Sequence, residues 1–228
     1  MESILDKPSD LSVDLYWSFR SPYSYLATPR LRDLARDYAV SFHVKPVYPL
    51  AIRTPTFFEE NDPLWLPYMI KDVFRIAQMN KIPMGMPQPD PVIQDLTTRK
   101  IADEQPHIYR LVRLGTLPAE RGMGHEFIYQ VSTLIWSGEV NWTDGSHLSD
   151  AIARAGGDLS DMDATIKTDK DRLEAIISKN QTDQRIAGHW GVPLMIFNDE
   201  PFFGQDRIDA LVWRMEQNGL RQRENVSG

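Results

Sequence analysis

The sequence predicts an α/β fold, on three observations. Its N-terminal end reads as strand, helix, strand. Its C-terminal end reads as strand, strand, helix. Residues 51–187 between them carry helical patterns and no strand pattern.

Taken in order, residues 13–19 have the β-branched and aromatic bias of a strand. Ser21-Pro22 then starts a helix. Proline at the first helical position gives up no needed N–H, and the residue before it is held extended, as an N-cap is. Ala27, Leu31, Leu34, Ala35 and Tyr38 recur at helical spacing. A second strand follows, with Val40, Phe42 and Val44 on one face and Ser41, His43 and Lys45 on the other, ended by Pro46. The helix between them is long enough for a right-handed parallel crossover. The middle offers amphipathic helices at 63–80, 92–104, 106–115, 119–137, 146–155 and 169–187, and a Pro-rich loop at 82–91. The last unit is a strand at 194–197, a turn at Asn198-Asp199, a short edge strand at 201–203 and a helix at 206–217 stopped by Gly219. A βαβ unit and a ββα unit add up to a thioredoxin-like fold with a large all-helical insertion. Residues 11–50 and 188–220 form the discontinuous thioredoxin-like domain, and 51–187 the helical insertion subdomain.

The 228 residues are 42% hydrophobic and 25% charged, as in ordinary globular chains, and the net charge is −7. An acidic chain is ill suited to nucleic acid, because phosphate contacts need clustered Lys and Arg. No apolar run approaches the roughly 18 residues that span a bilayer. The first residues, MESILDKPSDLSVDLYW, lack the basic and apolar runs of a signal peptide, so the expectation is a cytoplasmic protein. The chain has no cysteine. Disulfides, Cys-ligated zinc and thiol chemistry from the protein itself are thereby excluded.

The stretch FRSPYSY, residues 19–25, sits where the first strand hands over to a helix. Such a corner turns backbone N–H groups outward and favours an anion. Ser21 adds a hydroxyl. A thiolate resting there is stabilised against its thiol, so its pKa falls. Since the protein owns no thiol, the sulfur comes from outside, and glutathione is the obvious small cytosolic thiol. Taken by itself, a serine before proline is simply a helix cap; the two roles are compatible.

FRSPYSYLA resembles the N-terminal motif of 2-hydroxychromene-2-carboxylate isomerases and kappa-class glutathione transferases, relatives of the bacterial disulfide oxidases. The resemblance recurs at GVPLMIF and FFGQDR and runs from about residue 11 to 220. It implies a thioredoxin fold split by helices, glutathione as cofactor, and a homodimer. Ser21 matches the serine that faces the glutathione sulfur. Val192-Pro193 matches a loop whose proline is cis, with the Val192 backbone pairing with the cysteinyl backbone of glutathione. Asp206 and Arg207 match the pair that holds the γ-glutamyl end, and Gln205 stands where kappa-class members have serine. Those families carry a lysine after the second strand; a gapless reading back from Ile82-Pro83 puts Trp65 there. Arg53 and Lys71 are candidate substitutes, and Asn61 a candidate amide.

The implied activity is isomerisation of an aromatic-degradation intermediate: addition of the glutathione thiolate to a conjugated carbon, bond rotation, and expulsion. A kappa-like transferase uses the same corner without expelling the sulfur, and a non-catalytic binding module keeps the fold alone. Phe57, Phe58, Trp65 and Tyr68, with Trp136 or Trp142, are candidates for a wall against a flat aromatic or apolar substrate. The histidines show no metal-ligand spacing, so no metal is expected. His189-Trp190 comes just before the proline loop, and the plain expectation for that histidine is a structural or surface role.

Overall fold

A computed structural model describes residues 10–95, 97–138 and 141–223. The first nine residues, part of the stretch read against a signal peptide, lie outside them. Strand β1 (Leu11–Trp17) runs into helix α1 (Pro22–Asp37), which returns the chain to strand β2 (Val40–Pro46). At the other end, β3 (Leu194–Phe197) turns into β4 (Glu200–Phe203). The turn residues Asn198 and Asp199 both take positive φ, 49° and 63°, as a two-residue hairpin requires. The sheet has the order β2-β1-β3-β4, with β1 parallel to β2 and antiparallel to β3. This is the predicted thioredoxin-like arrangement.

The strand β2 buries Val40, Phe42 and Val44 and exposes Ser41 and His43, the alternation read from the sequence. Strand β1 is central, and Val13, Leu15 and Trp17 are fully buried. Helix α1 buries Tyr25, Leu26, Ala27, Leu31 and Leu34 against the sheet.

Between β2 and β3 lie α2 (Leu50–Arg53), α3 (Phe57–Glu60), α4 (Trp65–Asn80), α5 (Ile108–Glu120), α6 (Gly124–Trp136), α7 (His147–Arg154), α8 (Leu159–Thr168) and α9 (Lys170–Ile186). The last helix, α10 (Ile208–Glu216), follows a 3-10 turn at Gln205–Arg207. Helices α5, α6 and α9 pack directly on β2, and α6 also packs on α1. Residues 51–187 therefore share one core with the thioredoxin-like unit: Phe19, Leu31 and Phe42 belong to the same cluster as Leu114, Phe127 and Ile177.

Residues 92–104 are not the predicted helix. The described residues on either side of position 96 pair irregularly: Gln94 bridges Ile101, the Asp95 N–H donates to Lys100 O, and the Ala102 N–H donates to Ile93 O. The Asp95 carboxylate accepts from the Thr97 and Thr98 N–H groups, each at 2.8 Å. The Gln105 amide satisfies both backbone groups of Ile93. Asp and Thr here offer the backbone side-chain partners that compete with a helix ladder. Helix α8 was not foreseen; Asp158 caps it, accepting from the Asp161 N–H at 2.9 Å.

Leu15 is fully buried at the centre of the sheet. Leu15→Ala should cost about 2–5 kcal/mol in urea unfolding, through lost transfer energy and the cavity left behind.

Candidate functional site

The register of β1 on β3 pairs Tyr16 with Leu194, so the chain leaving β1 comes to lie beside the chain entering β3. Ser21 thereby meets Val192. Its Oγ accepts from the Ser24 N–H at 3.2 Å and donates to the Val192 carbonyl at 3.3 Å. The hydroxyl is a cap and a bridge at once, and it is only half-buried. Pro22 has no N–H, and the Ser24 N–H is taken by the cap. Among the described residues, the first-turn donor left without a partner is the Tyr23 N–H. The corner thus offers an anion one hydroxyl and one amide.

The Val192-Pro193 peptide bond is cis. All four backbone carbonyls from Trp190 to Pro193 have partners. The Trp190 carbonyl accepts from Arg53 Nη2 at 3.0 Å. The Gly191 N–H donates to His189 Nδ1 at 2.9 Å, and its carbonyl accepts from Gln184 Nε2 at 2.7 Å. The Pro193 carbonyl accepts from the Gly204 N–H at 2.9 Å. The Val192 N–H finds no acceptor among the described residues. Of the two Val192 backbone groups expected to be open, the N–H is free and the carbonyl is engaged by Ser21.

The remaining candidates are spread around this centre. Asp206 is exposed on the 3-10 turn, where its carboxylate takes a 2.7 Å bond from Arg207; Gln205 beside it is half-buried. Arg53, at the end of α2, has its guanidinium between Gln184 and Trp190, while its buried Nε has no partner. Burial first, and Arg185 second, push its pKa down to about 10. A desolvated cation in that state favours an incoming anion. Asn61 spends its amide locally, donating to the Phe57 carbonyl at 2.6 Å. Lys71 stands exposed on α4.

Aromatic rings join the insertion to the proline loop. Phe57 packs edge-on against Phe58, Trp65 and Trp190, at centroid distances of 5.2, 5.9 and 5.5 Å. His189 stacks on Trp190 at 5.3 Å and on Phe203 at 3.8 Å. Phe57, Phe58 and Trp65 therefore fall in one cluster with the loop. Tyr68 is 62% exposed and outside that cluster. Trp136 and Trp142 are buried and braced instead: their indole N–H groups donate to Phe19 O at 2.9 Å and Pro89 O at 2.6 Å. They prop the corner and the Pro-rich loop from behind rather than forming a wall.

The DSBA-like thioredoxin domain family matches residues 12–216. The chain is 26% identical over 204 residues to 2-hydroxychromene-2-carboxylate isomerase of Sphingobium xenophagum, covering 88% of this chain and 95% of that protein. It is 24% identical over 216 residues to the enzyme of the same name from Pseudomonas putida, covering 87% and 91%. A solved 2-hydroxychromene-2-carboxylate isomerase superposes with a TM-score of 0.70 at 21% identity, covering 91% of this chain and 96% of that one. The cytosolic disulfide reductase DsbM from Pseudomonas aeruginosa, solved with GSH, superposes with a TM-score of 0.54 at 14% identity, covering 91% and 100%.

Two residues escaped the sequence reading. Arg20, next to Ser21, is half-buried and donates twice to Asp90, at 2.9 and 3.0 Å, and once to Gln94 at 2.7 Å, with the Phe58 ring 5.6 Å from its guanidinium. Gln184 is fully buried. Its signal was in plain view: Asn180 and Gln184 fall on the same face of α9 as buried Leu173 and Ile177, and polar groups there need backbone partners. Gln184→Leu keeps the volume and leaves the Gly191 carbonyl and Arg53 Nη1 without partners. It should lower stability by about 1–3 kcal/mol in urea unfolding.

Proposed function

We propose that this chain, which belongs to the DSBA-like thioredoxin domain family, is a glutathione-dependent isomerase acting in the cytoplasm on a small unsaturated intermediate of aromatic degradation. The observation that carries the reading is the Ser21 hydroxyl, bridging a helix N-terminus to the Val192 carbonyl in a chain without cysteine. The names of its relatives support isomerisation over disulfide exchange. A homodimer, implied by the resemblance, belongs to the same proposal.

The residues present fit glutathione. Ser21 Oγ and the Tyr23 N–H suit the sulfur, and the Val192 N–H suits the cysteinyl backbone. Asp206, with Gln205 and Arg207, suits the γ-glutamyl end, its carboxylate facing the amine. Arg53, with its orphaned buried Nε, suits a carboxylate. Asn61 is held by Phe57 and would first have to release it. When bound, glutathione supplies a nucleophilic sulfur that adds reversibly to a conjugated carbon and lets the bond beside it rotate.

The chain's own work is orientation and charge stabilisation. At 3.3 Å the Ser21 bond to Val192 is long, so the hydroxyl gives up little in turning to an anion. A charge-assisted hydrogen bond there is roughly twice as strong as a neutral one. Phe57, packed edge-on against Trp65 and Trp190, would offer the substrate an apolar wall beside the proline loop. Tyr23 keeps its proton: burial, then its 2.9 Å bond to Asp72, hold its pKa well above the usual phenol value.

Ultraviolet titration of glutathione on the protein tests the reading. The bound thiol should ionise about one pH unit or more below its free value of about 8.5, and Ser21→Ala should abolish that drop. One unit is about tenfold in thiolate at neutral pH, so turnover in Ser21→Ala should fall by about tenfold and its acid limb should move to higher pH. An unchanged thiol pKa on binding rejects the mechanism. No binding at millimolar glutathione points instead to a non-catalytic module.

A further inference from the structure

Gly191 is the best-held residue of the proline loop, and the group that holds its N–H is titratable. His189 Nδ1 accepts that N–H at 2.9 Å. An imidazole that accepts at Nδ1 is neutral and carries its proton on Nε2. The ring is fixed by stacking on Phe203, 3.8 Å between centroids and 21° from parallel, and on Trp190 at 5.3 Å and 19°. Gly191 lies hard against the same stack. A Cβ there would fall 2.3 Å from Phe203 Cε2 and 3.0 Å from His189 Cε1. Gln184 on the Gly191 carbonyl holds the peptide plane that also carries the Val192 N–H, and His189 holds the plane before it, so the two bonds together fix the torsions of Gly191 between them.

We propose that His189 is a positioning residue: as a neutral imidazole it clamps Gly191 and thereby aims the Val192 N–H at the backbone of bound glutathione. The inference rests on the glutathione reading for its ligand and on the loop geometry for its mechanism. Protonation puts a hydrogen on Nδ1, which then faces the Gly191 N–H donor to donor. The clamp opens, and the plane of the Val192 N–H is then held by Gln184 alone, free to swing with the loosened Gly191.

Phe203 of β4 and Trp190 of the loop, which pack on the ring, carry no charge. The charged group joined to this stretch is Arg53 of α2, on the Trp190 carbonyl, with Arg185 of α9 acting on Arg53 in turn. Burial alone holds the His189 pKa below its ordinary 6.5. The sign follows: the folded state prefers the neutral ring, so the clamp is complete above about pH 6.5 and is lost as pH falls through the lower folded value.

S-Methylglutathione is the probe, because it has no thiol whose own ionisation would mask the effect. Nuclear magnetic resonance should show the Gly191 amide moving with the same midpoint as the His189 ring, below pH 6.5. Calorimetry should show affinity for S-methylglutathione falling about fivefold to tenfold from neutral pH to below that midpoint. His189→Asn places an amide oxygen where Nδ1 was, and binding should become flat across this range. His189→Phe keeps the stack and removes the acceptor, and binding should be weak by a similar factor at every pH. A Gly191 amide that ignores the His189 titration overturns the proposal. So does parental pH dependence in His189→Asn or parental affinity in His189→Phe. If S-methylglutathione binds at no pH, the glutathione reading falls, and the Gly191 titration still decides the clamp.

Discussion

The site depends on one contact: the hydroxyl of Ser21 touching the carbonyl of Val192 across 171 positions of sequence. Nothing local brings these residues together. The sheet does, by laying β3 antiparallel on β1 so that the exit of one strand faces the entrance of the other. The helix cap and the proline loop then become two sides of one small opening. Trp136 braces one side, through Phe19, and Gln184 and Arg53 brace the other, through Gly191 and Trp190. Each brace is a side-chain donor spent on a backbone carbonyl that the irregular chain would otherwise leave unpaired. The loop side of the opening is thus held at the Trp190, Gly191, Val192 and Pro193 carbonyls, while the Tyr23 and Val192 N–H groups have no partner among the described residues.

Zero cysteines shape the chemistry as much as any residue present. Disulfide exchange at this corner would need a thiol that the chain does not own. Here the hydroxyl can orient and stabilise a sulfur anion but cannot form a disulfide. The aromatic rings near the loop belong to the same logic. Phe57 and Trp65 arrive from the insertion, Trp190 and Phe203 from the thioredoxin-like unit, and the two groups meet where Phe57 packs edge-on against Trp190.

Much of this was legible from the chain. Alternation in β2, the Ser-Pro start of α1, and the Asn-Asp turn between β3 and β4 each carry a local rule, and the structure follows them. The bounds of 92–104 were misread because apolar spacing suggested a helix, while Asp95, Thr97, Thr98 and Gln105 supply turn partners to the backbone. Trp136 and Trp142 were read as possible wall because exposure is not written in an aromatic residue; only the packing of α6 and of the Pro-rich loop decides it. Ser21 was legible as a cap, yet its meeting with Val192 was available only through resemblance. Gln184 could not have been paired with Gly191 by any local rule, and the bond of His189 to the amide two residues on needs the tight loop before that amide has a direction.

The insertion packs on β2 and α1 through the same apolar cluster that holds the sheet together. Among the described residues neither part keeps a complete interior when the other is removed, so melting should be cooperative over both and a hinge between them is disfavoured. Motion at the Ser21 corner then falls to short loops and side-chain rotations, which act faster than the motion of whole lobes and leave the sheet and its helices in register.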